Sequence, residues 1–256
     1  ESHLRKMSFA NKVVLVTGAS SGIGATTAIS FAKEGANVVI VGRNEVKLQQ
    51  VADECAATGK EYLSIKADIT KDEDAKRVIN DTVEKFGQID VVVNNAGMIG
   101  FANILSDNVL SVYDTVMDLN VRAQVHMTHL AAPHLIKTKG NIINISSIAG
   151  KMTFKEPMMC YAISKAAVDH FTRNVARELA PHGVRVNSIS PGPVRTDILS
   201  NAGVPKTMDE INYEIPLGRI SDSNEIADLI LFLAKPDNSQ SPESFLKSIS
   251  KIMSKK

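Results

Sequence analysis

The chain lacks several features that would commit it early to one kind of function. Its 256 residues include only two cysteines, Cys55 and Cys160, far apart and in no metal-like spacing. That excludes a disulfide framework and suits a reducing compartment. Neither sign of charge is in excess: 29 Lys and Arg against 28 Asp and Glu leave a net +1. No global field draws such a chain to nucleic acid or to an anionic membrane. No apolar run reaches the ~18 residues of a membrane span. The opening ESHLRK, before Met7, lacks the apolar core of a secretion signal and reads as an added or frayed start. Cytoplasmic residence is the expectation. Repeats, linkers and low-complexity tracts are also missing before about residue 235.

What is present is alternation. Short apolar runs at 12–17, 37–41, 61–67, 90–94, 141–146 and 184–190 have the Val/Ile content of strands buried on both faces, as parallel sheets require. Between and after them lie helical patterns at about 22–34, 45–57, 72–86, 107–137, 160–180 and 222–235. In the fifth, Ala167, Phe171, Val175 and Leu179 recur every four residues and predict an apolar stripe, stopped by Pro181 and Gly183. Strand–helix alternation at this spacing predicts an α/β fold, a single domain over 8–236 built as an open, doubly wound parallel sheet of the Rossmann type. Residues 1–7 and 237–256 fall outside it.

The first strand runs into TGASSGIG, Thr17–Gly24, which opens a helical pattern. Gly18, Gly22 and Gly24 suit a tight turn, close approach of backbone to a pyrophosphate, and close packing of helix on strand. The helix amino end then offers free N–H groups to phosphate, which makes Ser20, Ser21 and Ile23 candidate cofactor contacts as well. The spacing is G-x-x-x-G-x-G rather than the commoner G-x-G-x-x-G. At the end of the second strand an acid would accept from the adenosine ribose of NAD, whereas an arginine suits a 2′-phosphate. Here Gly42 fills the acid's place and Arg43 and Asn44 follow, so NADP(H) is expected over NAD(H).

Asn94–Gly97 (NNAG) follows the fourth strand, at the edge where ligands of open sheets bind, and Asn95, Ala96 and Gly97 are cofactor candidates. Asp68 and Ile69 close the third strand, Asp68 serving either the cofactor or as a cap for the next helix. Further on, Ser146 and Ser147 precede YAISK, in which Tyr161 and Lys165 stand one helical turn apart on one face. A phenol is a weak acid at neutral pH, and a nearby ammonium favours its ionised form. Such a pair suits proton delivery to the alkoxide formed when hydride reaches a carbonyl, with either serine able to polarise the oxygen. His126, His129 and His134 have no carboxylate or cysteine beside them in sequence to complete a metal site, so no metal is expected. Cys160 reads as a buried, inert thiol.

TGASSGIG, NNAG, Asn120, the serine before YAISK, and PGPVRT at Pro191–Thr196 together resemble the short-chain dehydrogenase/reductase family, over roughly residues 8 to 236. The resemblance implies a catalytic set of Asn120, Ser147, Tyr161 and Lys165, with Ser147 preferred over Ser146. It implies that Asn120 holds a water linking Lys165 to solvent and that Lys165 grips the cofactor ribose. By the same resemblance Asp68 contacts adenine, while Pro191, Gly192, Val194 and Thr196 contact the pyrophosphate–nicotinamide end. It places the substrate between 150–160 and 197–220, where Met152, Phe154, Met158, Met159, Leu199, Val204 and Met208 offer an apolar wall. An apolar carbonyl or secondary alcohol of steroid, retinoid, quinone or acyl type is the expected substrate, and assembly as a homo-oligomer, tetramer or dimer, is implied. The alternative is a catalytically silent NADP(H)-binding regulatory or scaffold protein. The family's seventh strand has no counterpart here: SPESFLKSISKIMSKK replaces a glycine-rich end and carries helical spacing with lysines around it. That strand is expected to be missing or altered.

Overall fold

The computed structural model describes residues 8–210 and 218–235. The expectations for the start, for the replaced carboxyl end and its seventh strand, and for 211–217 lie outside the described residues. Among those described, six parallel strands lie in the order β3-β2-β1-β4-β5-β6. They are β1 (Val13–Thr17), β2 (Asn37–Gly42), β3 (Tyr62–Lys66), β4 (Val91–Asn94), β5 (Asn141–Ile145) and β6 (Arg185–Ile189). The doubly wound α/β arrangement is the one expected from the alternation. β1 shows why continuous apolar runs fit it. Val14 and Val16 enter one core with Phe31, Leu48 and Ile230, while Val13 and Leu15 enter the other with Met127, Leu135 and Ile142. Period-two side chains thus meet apolar matter on both faces. The order reverses between β1 and β4, which opens a crevice at their carboxyl ends.

The helices α1 (Gly22–Lys33), α2 (Glu45–Ala56) and α3 (Asp72–Phe86) match the sequence patterns within a residue or two, each stopped where local chemistry dictates. α3 carries Asp72, Glu73 and Asp74 in its first turn, favourable at the positive end of the helix dipole, and ends on Gly87 at φ 75°.

Two expectations need correction. The single helix at 107–137 is instead α4 (Val109–Met117), a π turn (Asp118–Arg122) and α5 (Ala123–Thr138). The π turn is marked by Ala123 N–H donating to Asp118 O, five residues back. In α6 (Met159–Leu179) the stripe of Ala167, Phe171, Val175 and Leu179 is only half-buried. The fully buried face includes Tyr161, Ser164, Lys165, Val168, Asp169, Thr172 and Ala176. The helix has rotated a polar row inward because that row has partners there. Thr172 Oγ accepts from Asn144 Nδ2, and Asn120 Nδ2 donates to Ser164 Oγ. Two further helices complete the described chain, the short α7 (Ile198–Asn201) and α8 (Ser223–Ala234), which starts on a capping box of Asp222 and Glu225.

Candidate active site

The glycine-rich turn is built so tightly that side chains would not fit. Gly18 lies at φ +65°, and a Cβ there would stand 2.8 Å from Ala96 Cα; one on Gly24 would stand 2.3 Å from Gly18 O. Asn95 locks the turn to the end of β4, its Nδ2 donating to Thr17 O at 3.0 Å and Gly18 O at 3.1 Å. Thr17 Oγ accepts in return from the Asn95 and Ala96 amides, each at 3.1 Å. Asn94 is used differently: its Nδ2 donates to Thr128 and Asn144, tying the sheet to α5 and to the neighbouring strand. Ser21, at the N-cap of α1, makes no side-chain cap bond.

A cavity of about 420 Å³ runs along this crevice. Of the expected cofactor contacts, Gly18, Ser20, Ser21, Gly22, Ile23, Arg43, Asn44, Asp68, Ile69, Asn95, Ala96, Gly97, Tyr161, Lys165, Pro191, Gly192, Val194 and Thr196 line it. Gly24 stands behind the turn and supports it. Asp68 is not the cap of α3, whose N-cap is Lys71; its Oδ1 accepts from the Thr70 amide and hydroxyl at 3.2 and 2.9 Å. Asn44 caps α2 by accepting from Lys47 N–H at 3.0 Å. Arg43 is exposed at the rim. A cradle closed to any Cβ, with a helix amino end facing the cavity, fits the pyrophosphate of a nicotinamide dinucleotide.

At the other end of the cavity the polar groups are buried. Tyr161 is 8% exposed, Lys165 3% and Asn120 0%. Lys165 Nζ donates to Ile145 O at 2.8 Å and lies 5.5 Å from the centre of the Tyr161 ring. Burial pulls the Lys165 ammonium down from 10.5 to about 8, and the Asp169 carboxylate opposes the fall. Burial pushes the Tyr161 phenol up, while its hydrogen bond with Ser147 works in the opposite direction. The two serines have separate tasks: Ser146 Oγ donates to Lys165 O at 3.1 Å, whereas Ser147 meets Tyr161 and accepts from Ala149 N–H. Asn120 uses its whole amide as a brace. Oδ1 accepts from Met98 N–H at 2.8 Å, and Nδ2 donates to Met98 O and Ser164 Oγ at 2.9 and 3.0 Å. Both N–H donors of the Asn120 amide and one lone pair of its oxygen are thus engaged with protein.

Of the expected substrate wall, Phe154, Met158 and Met208 line the cavity, joined by Ile99, Ile148 and Ile198, which the sequence reading had not named. Four of the named residues lie elsewhere. Met152 is 54% exposed, Met159 packs beside Cys160 and Val116, Leu199 is buried behind the wall, and Val204 packs half-buried against the cluster that holds Leu199. The loop between Ser147 and Tyr161 is pinned at both ends. A Cβ on Gly150 would stand 2.8 Å from the Lys165 backbone carbon, and Ala102 N–H donates to Pro157 O at 2.8 Å beside a bridge from Ala102 to Met158. Cys160 is buried away from the cavity. His126 Nδ1 lies 3.5 Å from Asp72, a carboxylate already bonded to Arg122. Among the described residues no three His, Cys, Asp or Glu side chains gather as metal ligands, and no helix is long and apolar enough to cross a membrane.

Comparison with known proteins places this geometry. A family model described as enoyl-(acyl carrier protein) reductase matches residues 18–241. A hydroxynaphthalene reductase-like protein, Arp2, of Metarhizium guizhouense is 40% identical over 247 residues, covering 90% of this chain and 91% of its own. The 3-oxoacyl-(acyl-carrier-protein) reductase FabG of Staphylococcus epidermidis is 36% identical over 231 residues, covering 88% and 91%. Among solved structures, a short-chain dehydrogenase/reductase from Caenorhabditis elegans with cofactor superposes with a TM-score of 0.85 at 40% identity, over 91% of each chain. Levodione reductase superposes at 0.83 with 29% identity, over 90% and 92%.

Proposed function

This chain belongs to the short-chain dehydrogenase/reductase family, and from that premise we propose that it transfers hydride between NADP(H) and the carbonyl or secondary alcohol of an apolar substrate. The observation that carries the reading is convergence. Tyr161, Ser147 and Lys165 meet on the wall of the same cavity that the glycine-rich turn lines. The bound nicotinamide supplies the hydride. Tyr161 delivers the proton to the substrate oxygen, and Ser147 offers a second hydrogen bond there. Lys165, pulled down only to about 8, keeps its ammonium form at pH 7, so it adds positive charge beside the phenol as negative charge develops. A phenol held protonated by burial still donates readily to an alkoxide, which favours the reductive direction at neutral pH.

Gly42 and the rim position of Arg43 support the 2′-phosphorylated cofactor. The wall of Ile99, Ile148, Phe154, Met158, Ile198 and Met208 carries no charge, which supports an apolar substrate. The names of the relatives point the same way, one to a hydroxynaphthalene and one to a 3-oxoacyl chain. Leu110 and Ile163, left 72% and 42% exposed on α4 and α6, support pairing with a second copy. Two buried free thiols suit the cytoplasm.

The test is NADPH oxidation at neutral pH with aromatic ketones, quinones, steroid ketones and 3-oxoacyl thioesters, and with unsaturated thioesters as a contrast. Turnover of ketones but not of unsaturated thioesters is expected. Tight NADPH binding with no turnover of any ketone would leave the silent binding protein as the reading.

A further inference from the structure

The rim of the cleft carries an ion pair that the proton-transfer scheme does not use. Lys47 Nζ stands 2.5 Å from Asp197 Oδ2, joining α2 to the segment before α7 across 150 positions of sequence. Both residues line the cavity. Lys47 is in the first turn of α2, its backbone held by the Asn44 cap beside Arg43. Asp197 follows Thr196, whose methyl carbon would lie 2.9 Å from a Cβ placed on Gly22. The pair therefore joins α2 to the segment that packs on the glycine-rich turn, within one cavity, and sets a cation on the wall that would take the dinucleotide's phosphates. Asp197 holds the N-cap place of α7 yet makes no cap bond, so its carboxylate is committed to the lysine. Its neighbour Arg195 is not exchangeable in the same way, since it is bound to both Asp209 and Asp222.

We infer that Lys47 is a phosphate-binding residue of the cofactor cleft and that Asp197 is the anion that holds it in place until the dinucleotide arrives. Both side chains are 41% exposed, and an exposed pair of this kind is held weakly. A phosphate offers the ammonium charge-assisted hydrogen bonds at least as strong as those of a carboxylate. Lys47 then turns to the phosphate and Asp197 is released to solvent. The inference rests on the reading that the cleft takes a nicotinamide dinucleotide.

Calorimetric titration of NADPH and of NADH into the wild type, Lys47→Ala and Asp197→Asn separates the possibilities. Lys47→Ala is expected to weaken NADPH about tenfold, and Asp197→Asn to tighten it a few-fold by removing the competing anion. Both effects should shrink at high salt. A Lys47→Ala loss confined to NADPH identifies the 2′-phosphate as the group bound, and an equal loss for NADH identifies the pyrophosphate. If Lys47→Ala binds both cofactors like the wild type, the inference fails while the dinucleotide reading stands. If Asp197→Asn weakens binding as much as Lys47→Ala, the pair is a structural clasp and the inference fails again. Wild-type protein that binds neither cofactor overturns the dinucleotide reading itself, and this inference with it.

Discussion

At one end of the cleft Tyr161, Lys165 and Asn120 expose 8%, 3% and 0% of their surface; at the other, Lys47 and Asp197 each leave 41% of their side chains in solvent. The buried end works by desolvation. It shifts the titration of Tyr161 and Lys165, the groups proposed to handle the proton, and holds them among buried hydrogen bonds. The rim works with charges in high dielectric, individually weak, exchangeable and screened by salt. Chemistry needs one geometry held throughout the reaction, whereas admitting and releasing a dinucleotide needs contacts that can be traded.

Four substitutions test whether that division holds. The largest effect is expected from Tyr161→Phe, a fall in kcat of about a thousandfold with NADPH affinity unchanged by titration. Retained turnover would break the assignment of the buried end. Asn120→Ala removes the partner of Met98 N–H and O and of Ser164 Oγ. It should destabilise the fold by about 3 kcal/mol, measured by urea unfolding. Lys165→Met should lower kcat about a hundredfold yet stabilise the protein at pH 7 by about 2 kcal/mol. The sign follows from linkage. With the folded pKa lowered from 10.5 to about 8, the unfolded chain binds the extra proton, so the wild type is penalised fully below pH 8. Its stability recovers as pH rises from 8 to 10.5. The lost bond to Ile145 O offsets about 1 kcal/mol of the gain. The gap between wild type and variant in unfolding curves at pH 7 should therefore nearly close at pH 10. The smallest effect belongs to the rim: Arg43→Ala should weaken NADPH about tenfold, leave NADH alone and lose most of its effect in molar salt. An equal loss for both cofactors would remove the phosphate from Arg43.

The strands were legible because burial on both faces writes itself as unbroken Val and Ile, as in β1 and β4. The pair proposed to be catalytic stood out because Tyr161 and Lys165 are neighbours on one helix. The π turn at Asp118–Arg122 was not, since apolar periodicity continues through it and the extra residue is settled by where Asn120 can reach Met98 and Ser164. The inward face of α6 was misjudged for a related reason. Lys165, Asp169 and Thr172 look like a solvated row until Asn144 and the Ile145 carbonyl are set against the helix. Met152 carried the right chemistry for a substrate wall, but a loop has no periodicity from which its direction could be read. The pair of Lys47 and Asp197 left no local signature at all, because its members meet only after the chain has closed the sheet.

The loop between Ser147 and Tyr161 is pinned at Gly150 and again at Pro157 and Met158. The stretch between those anchors still touches its surroundings: Lys151 pairs with Asp169 on α6, and Phe154 packs in the cluster that holds Tyr161. A change of clientele written into residues 151–156 is therefore felt one helical turn from Lys165.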